Sequence, residues 1–141
     1  MISESFDTRE VFYSGGIGNV TPRKALEWCN KGAVLIDVRE SYMNRFKQFD
    51  VPEVIYCPFS ILKQNFQDFP RDKPLIFADA AGLHSKEAVQ ILVGKAFGSH
   101  IANMAGGLVE WERDGLPLII DKSERLSGSC MCQLRPREKR M

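Results

Sequence analysis

Four short apolar runs limit what this chain can fold into: AVLIDV at Ala33–Val38, VIYC at Val54–Cys57, LIFA at Leu75–Ala78 and IANM at Ile101–Met104. Continuous runs of this length, without polar alternation, are the pattern of strands covered on both faces. The first two read as central strands, the second ended by Pro58. Helical patterns lie between them. Thr21 can cap a helix whose first position is Pro22, where the missing N–H costs nothing, and Gly32 after Lys31 is a left-handed stop. Its apolar face is Ala25, Leu26, Trp28 and Cys29. Ser85 to Phe97 reads as a second helix, with Ala88, Val89, Leu92, Val93 and Ala96 inward and Gly98 as its stop. Gly106 and Gly107 form a turn, and a short helix carrying Leu108 and Trp111 is closed by Gly115 and Pro117. Strands alternating with helices at these spacings predict an α/β fold, a mainly parallel sheet flanked by helices on both faces.

A chain of 141 residues, 44% of them apolar, can bury one core and has no room for two. The expected organisation is a lead-in over 1–19, one domain over 20–120 and a tail over 121–141. Gly15, Gly16 and Gly18 in the lead-in read as a flexible loop and not a phosphate site, since no Lys-Ser or Lys-Thr follows. The net charge of +1 gives no field that favours nucleic acid or an anionic membrane. No apolar run approaches the ~20 residues that span a bilayer, and MISESFDTRE lacks a secretory pattern, so a cytoplasmic address is expected. Two histidines, His84 and His100, and the lack of a Cys-x-x-Cys pair argue against a metal site, and no cofactor is expected. Cys29 and Cys57 fall within predicted elements and Cys130 and Cys132 in the tail, which is not the framework of a disulfide-stapled secreted domain.

In a parallel sheet, ligands sit at the carboxyl ends of the strands. LIFADAAGLHS, Leu75 to Ser85, predicts a strand, a loop over 79–84 and a helix beginning near Ser85. Ala80, Ala81 and Gly82 are small enough for the backbone to curl with its N–H groups inward. With Leu83, His84 and the helix start at Ser85, they would make an anion-binding loop. Asp79 places an anion inside it, a cap worth about 1 kcal/mol. Asp79 then has two readings. In one the loop is an inactive scaffold or partner surface. In the other Asp79 is a general base or nucleophile with His84 as its partner, the weaker reading, because a carboxylate already accepting N–H groups is a poor base. His84 would either complete the cradle when protonated or sit exposed on the loop.

The segments AVLIDVRE (33–40), LIFADAAGLHS (75–85) and IANMAGGLVEWERDGLP (101–117) together resemble the single-domain rhodanese-like family of sulfurtransferases. The resemblance spans residues 20 to 118. In that family the loop is a Cys, four residues with Gly third, then commonly Arg and Ser or Thr, and the Cys carries sulfur as a persulfide. Aligned on Gly82 and Ser85, this chain has Asp79 in place of the Cys and His84 in place of the Arg. The resemblance implies a domain inactive as a thiosulfate sulfurtransferase that acts as a binding, regulatory or sulfur-relay accessory module. Its implied partners are a sulfur-carrying or redox protein and a small anion. Phosphatases of this fold place five residues between Cys and Arg; the four residues 80–83 between Asp79 and His84 do not match. Asp37 and Arg39 match a pair that the family shows at a strand end and read as a structural tie, while SYMNRFKQFD (41–50) departs from the family and its aromatics are expected to cover the core.

The tail supplies the alternative. Cys130-Met131-Cys132 precedes Arg135, Arg137, Lys139 and Arg140, set against Glu138, a local +3 that can lower a nearby thiol pKa. Cys130 or Cys132 is then the working sulfur of an active sulfurtransferase or thiol redox protein, or the pair binds a soft metal such as Cu(I). Against this stands a solvated basic extension with idle thiols.

Overall fold

The computed structural model describes residues 11–40, 46–97, 100–120 and 138–140. The apolar runs form strands β3 (Val34–Asp37), β5 (Val54–Tyr56), β6 (Leu75–Ala78) and β7 (Ile101–Met104). They join β1 (Phe12–Ser14) and β2 (Ile17–Val20) in a six-stranded sheet of order β1-β2-β7-β6-β3-β5. Every pairing is parallel except β1 with β2. The mainly parallel α/β fold expected from the sequence is therefore the observed one.

The pleat of the central strands sorts the core into two layers. Leu35 and Ile76 face one side, where α1 (Pro22–Asn30) and α4 (Gly107–Arg113) contribute Ala25, Trp28, Leu108 and Trp111. Val34, Ile36, Leu75 and Phe77 face the other, against α2 (Leu62–Asn65) and α3 (Leu83–Gly94) through Leu62, Ala88, Val89 and Leu92. Thr21 caps α1 as its sequence suggests, its Oγ1 accepting the Lys24 N–H at 3.2 Å.

Several expectations are corrected. The segment Gly15-Gly16 is not a loose loop: both residues have positive φ, +65° and +78°, and make the two-residue turn of the β1–β2 hairpin, a backbone twist that glycine adopts without a Cβ clash. Gly18 lies inside β2. β5, expected to be central, is an edge strand with Tyr56 exposed, because it pairs with β3 alone. Helix α3 begins two residues earlier than expected, so Leu83 and His84 belong to its first turn, and it ends at Gly94, leaving Val93 and Ala96 exposed. Gly98 lies outside the described residues.

A second, antiparallel sheet pairs β4 (Lys47–Phe49) with β8 (Leu118–Ile120) and β8 with β9 (Glu138–Arg140). Phe49 meets Trp111 edge to face at 5.2 Å, so the stretch that departs from the family does supply core aromatics; residues 41–45 lie outside the described set.

The end of α3 carries a testable cost. The N–H of Ala96 reaches the Val93 carbonyl and that of Phe97 the Leu92 carbonyl, both at 3.1 Å, which places Ala96 in the left-handed position at φ +52°. A Cβ there costs on the order of 1 kcal/mol. Ala96→Gly is expected to raise the urea midpoint with an unchanged slope, a gain of about 0.5–1 kcal/mol.

Candidate functional site

Asp79 follows the last residue of β6, and its side chain turns back into the 79–85 segment, where it is buried. Oδ2 accepts the His84 N–H at 2.8 Å, and Oδ1 accepts the Gly82 N–H. The carboxylate thus takes one N–H of the first turn of α3 and one from the residue before it, groups that have no partner within the helix. Carboxylate and helix start also attract each other through the helix dipole.

Behind the carboxylate runs a buried polar chain that sequence reasoning missed. The amide of Asn19 faces the carbonyls of Ile17, Phe12 and Ser14 at 3.1, 3.3 and 3.5 Å, so its Nδ2 must point at them. Its Oδ1 is left to accept Asn103 Nδ2 at 2.9 Å, and Asn103 Oδ1 accepts the Ser85 hydroxyl at 2.5 Å. Ser85 Oγ also lies 3.4 Å from Asp79 Oδ1, but its one proton is committed to Asn103. Oδ1 therefore depends on the Gly82 N–H. Asn19, Ser85 and Asn103 are all buried, and each is satisfied through the others. The readable signal was a polar residue inside each of two apolar strands, IGNV and IANM.

The loop backbone is held independently of the carboxylate. The carbonyls of Asp79 and Ala80 accept the N–H groups of Leu108 and Val109 at 2.9 and 3.0 Å, which seats the loop on the start of α4. Gly107, at φ +55°, makes this approach possible: a Cβ there would collide with the Asp79 carbonyl oxygen and lie 2.8 Å from the Ala80 carbonyl carbon.

At the loop is a cavity of about 290 Å3 lined by Asp79, Ala80, Ala81, Leu83 and His84 together with Val38, Arg39, Glu40 and Phe59. Arg39 is committed elsewhere. Its guanidinium grips buried Asp37, with Nη2 at 2.8 Å from Oδ2, and the same nitrogen donates to the Lys47 carbonyl at 2.8 Å, the tie between strand end and neighbouring segment that the sequence suggests. His84 lies exposed, stacked flat on Phe59 with ring centroids 5.3 Å apart. Its backbone, not its imidazole, reaches Asp79. Glu40 is fixed by the Ser60 N–H at 3.1 Å and the Ser60 hydroxyl at 2.9 Å.

Burial pushes the Cys29 thiol up to about 12 and that of Cys57 upward as well. Both are free and buried. Neither forms a thiolate readily at neutral pH, so a thiol reagent at pH 8 is expected to label at most two of the four cysteines in the native protein and all four after unfolding. Rapid native labelling of Cys29 or Cys57, mapped by mass spectrometry, would contradict the packing described. Cys130 and Cys132 lie outside the described residues.

The rhodanese-like domain family matches residues 21–114, two thirds of the chain and every element from α1 to α4. The chain belongs to the rhodanese-like family. This rhodanese-like domain is 29% identical over 103 residues to the thiosulfate sulfurtransferase GlpE of Haemophilus influenzae, an alignment covering 70% of this chain and 91% of that protein. It superposes on a rhodanese-related protein from Thermoplasma volcanium with a TM-score of 0.64 and 27% identity, covering 71% of this chain and 95% of the other. An NAD-dependent persulfide reductase from A. fulgidus matches with a TM-score of 0.50 and 31% identity over 57% of this chain, and the match covers 14% of that larger protein. Among the described residues no helix is long and apolar enough to cross a membrane.

Proposed function

We propose that this rhodanese-like domain carries no sulfur on its loop and works as a binding, regulatory or sulfur-relay accessory module. One observation supports the reading above the others. Where the family resemblance puts a persulfide-carrying Cys, Asp79 directs a carboxylate onto the Gly82 and His84 N–H groups. A carboxylate has no sulfur to hold the intermediate, and the small anion expected of the loop is, on this reading, the Asp79 side chain itself. Likeness to a thiosulfate sulfurtransferase and to a persulfide reductase supports a sulfur-carrying or redox protein as partner. The proposed compartment is the cytoplasm, where Cys29 and Cys57 remain thiols.

The test is thiosulfate-to-cyanide transfer by the full chain, expected at background. A second reading, a sulfurtransferase or thiol redox protein using Cys130 or Cys132, is favoured by the burial of the other two thiols, which leaves these two as the candidates for a working sulfur. Transfer above background that disappears in Cys130→Ser or Cys132→Ser would establish it, and persulfide trapping with an alkylating probe would map the sulfur.

A further inference from the structure

We propose that Asn103 is a positioning residue that withholds the Ser85 hydroxyl from the loop and so sets how strongly the loop holds negative charge at residue 79. The inference rests on the reading that Asp79 fills the loop. Its starting point lies in the β1–β2 hairpin. The carbonyls of Phe12, Ser14 and Ile17 can only accept, so the Asn19 amide must turn its Nδ2 to them, and its Oδ1 is left for Asn103. Asn103 must then donate with its Nδ2 at 2.9 Å, which leaves its Oδ1 to take the Ser85 proton at 2.5 Å. Each orientation dictates the next, so the hairpin backbone fixes the direction of a hydroxyl beside the loop. Asn19, Asn103 and Ser85 are buried, where a reversed amide would set acceptor against acceptor with no water to relieve it.

The consequence falls on Asp79. A serine hydroxyl has a single proton to give. With that proton on Asn103, the Ser85 oxygen faces Asp79 Oδ1 at 3.4 Å without a proton between them. The carboxylate is held instead by backbone, Oδ1 by the Gly82 N–H and Oδ2 by the His84 N–H. A carboxylate spreads its charge over two oxygens and is matched by donors placed one to each. A thiolate carries its charge on one sulfur, and the hydroxyl best placed to add a donor there is the one Asn103 has taken. The asparagine pair thus suits the loop to the carboxylate that this chain supplies, from residues that do not touch it.

The test compares the Gly82 and His84 amide signals of the full chain in the parent, Ser85→Ala, Asn103→Ala and the double variant. Ser85→Ala removes the nearer group, yet it should leave both signals nearly where they are, because Ser85 gives Asp79 no proton. Asn103→Ala releases the hydroxyl to Asp79 Oδ1, which then divides its charge between two donors. The Gly82 signal should move upfield and its amide exchange about threefold faster, while His84, on Oδ2, holds. Adding Ser85→Ala to Asn103→Ala should return the Gly82 signal to its parent position, a rescue that a merely structural loss would not give. In an Asp79→Cys protein the same release should lower the titration midpoint of the introduced thiol by about one pH unit, read by mass-mapped alkylation, and Ser85→Ala should cancel the drop. Arg39, Glu40 and His84, the charged and titratable side chains that line the cavity with residue 79, are the same in every arm. A Gly82 signal that moves in Ser85→Ala, or one that stays in place in a folded Asn103→Ala protein, would overturn the inference; should Asn103→Ala not fold, Ser85→Ala decides alone. Thiosulfate turnover by the parent chain would instead overturn the functional reading beneath it, so the two failures are distinguishable.

Discussion

Asp79→Cys is expected to convert the loop into a sulfur acceptor. The backbone that would hold the thiolate does not depend on the carboxylate: the 79–80 carbonyls are bonded to Leu108 and Val109, and Gly107 lets the two segments touch. With the aspartate removed, the Gly82 N–H and the start of α3 are free to stabilise a thiolate in its place. The new thiol should be acidic and should take sulfur from a reactive persulfide donor, whereas the parent loop takes none. Efficient use of thiosulfate should not return. His84 is stacked outward on Phe59, and Arg39, the guanidinium among the cavity's described lining residues, is tied to Asp37 and the Lys47 carbonyl, which leaves the loop without the Arg that the family places at position 84. Adding His84→Arg should raise activity further, chiefly as a lower KM for the donor. If the introduced thiol titrated near about 8.5, the ordinary value, a preserved loop geometry would be contradicted.

The second large effect falls on Gly107. Gly107→Ala must both hold alanine at φ +55° and drive its Cβ into the Asp79 carbonyl, a backbone atom that cannot swing away as a side chain would. Separating the loop from α4 also stretches the bonds of Leu108 and Val109 to the 79–80 carbonyls. A loss of roughly 3 kcal/mol or more is expected, as for other overpacked backbone contacts. Gly115→Ala is the control. It has similar positive φ, +72°, but nothing within 4 Å of the added Cβ, so it should cost about 1 kcal/mol, the conformational part alone. Equal losses at the two positions in a thermal melt would show that contact with the loop contributes nothing.

The strands of the central sheet were legible because each is a short apolar run, and α1 because Thr21, Pro22 and Gly32 mark its ends. The β1–β2 hairpin was not. Its outer strand exposes Phe12 and Tyr13, and its inner strand hides a polar residue, Asn19, so neither gave the expected period. Asn19 can be buried there because three hairpin carbonyls and Asn103 satisfy it, and Asn103, 84 residues away in the chain, is a partner that local pattern cannot supply. Separation along the chain also concealed the support behind the loop, where Ser85 meets Asn103 and the 79–80 carbonyls meet Leu108 and Val109. Asp79 itself was legible, since its position after an apolar run and before small residues is a local signal. What was not legible was how it is held: His84 reads as a charge partner, yet it contributes its N–H while its ring lies on Phe59. The early end of α3 was masked because Ala96 continues the apolar spacing of Leu92 and Val93 beyond Gly94, where the helix ends, although Ala96 is itself the residue at which the backbone turns left-handed.

The occupation of the loop by its own carboxylate is tested most directly by the amide protons of Gly82 and His84 in the parent protein and in Asp79→Ala. Charge-assisted bonds should hold both signals far downfield in the parent. In Asp79→Ala both should move upfield and exchange with solvent at least about tenfold faster, the loss expected for a hydrogen bond to a charged acceptor, while the Leu108 and Val109 amides stay protected. Unchanged shifts and exchange rates at Gly82 and His84 would contradict the account, because they would mean that something other than Asp79 fills the loop.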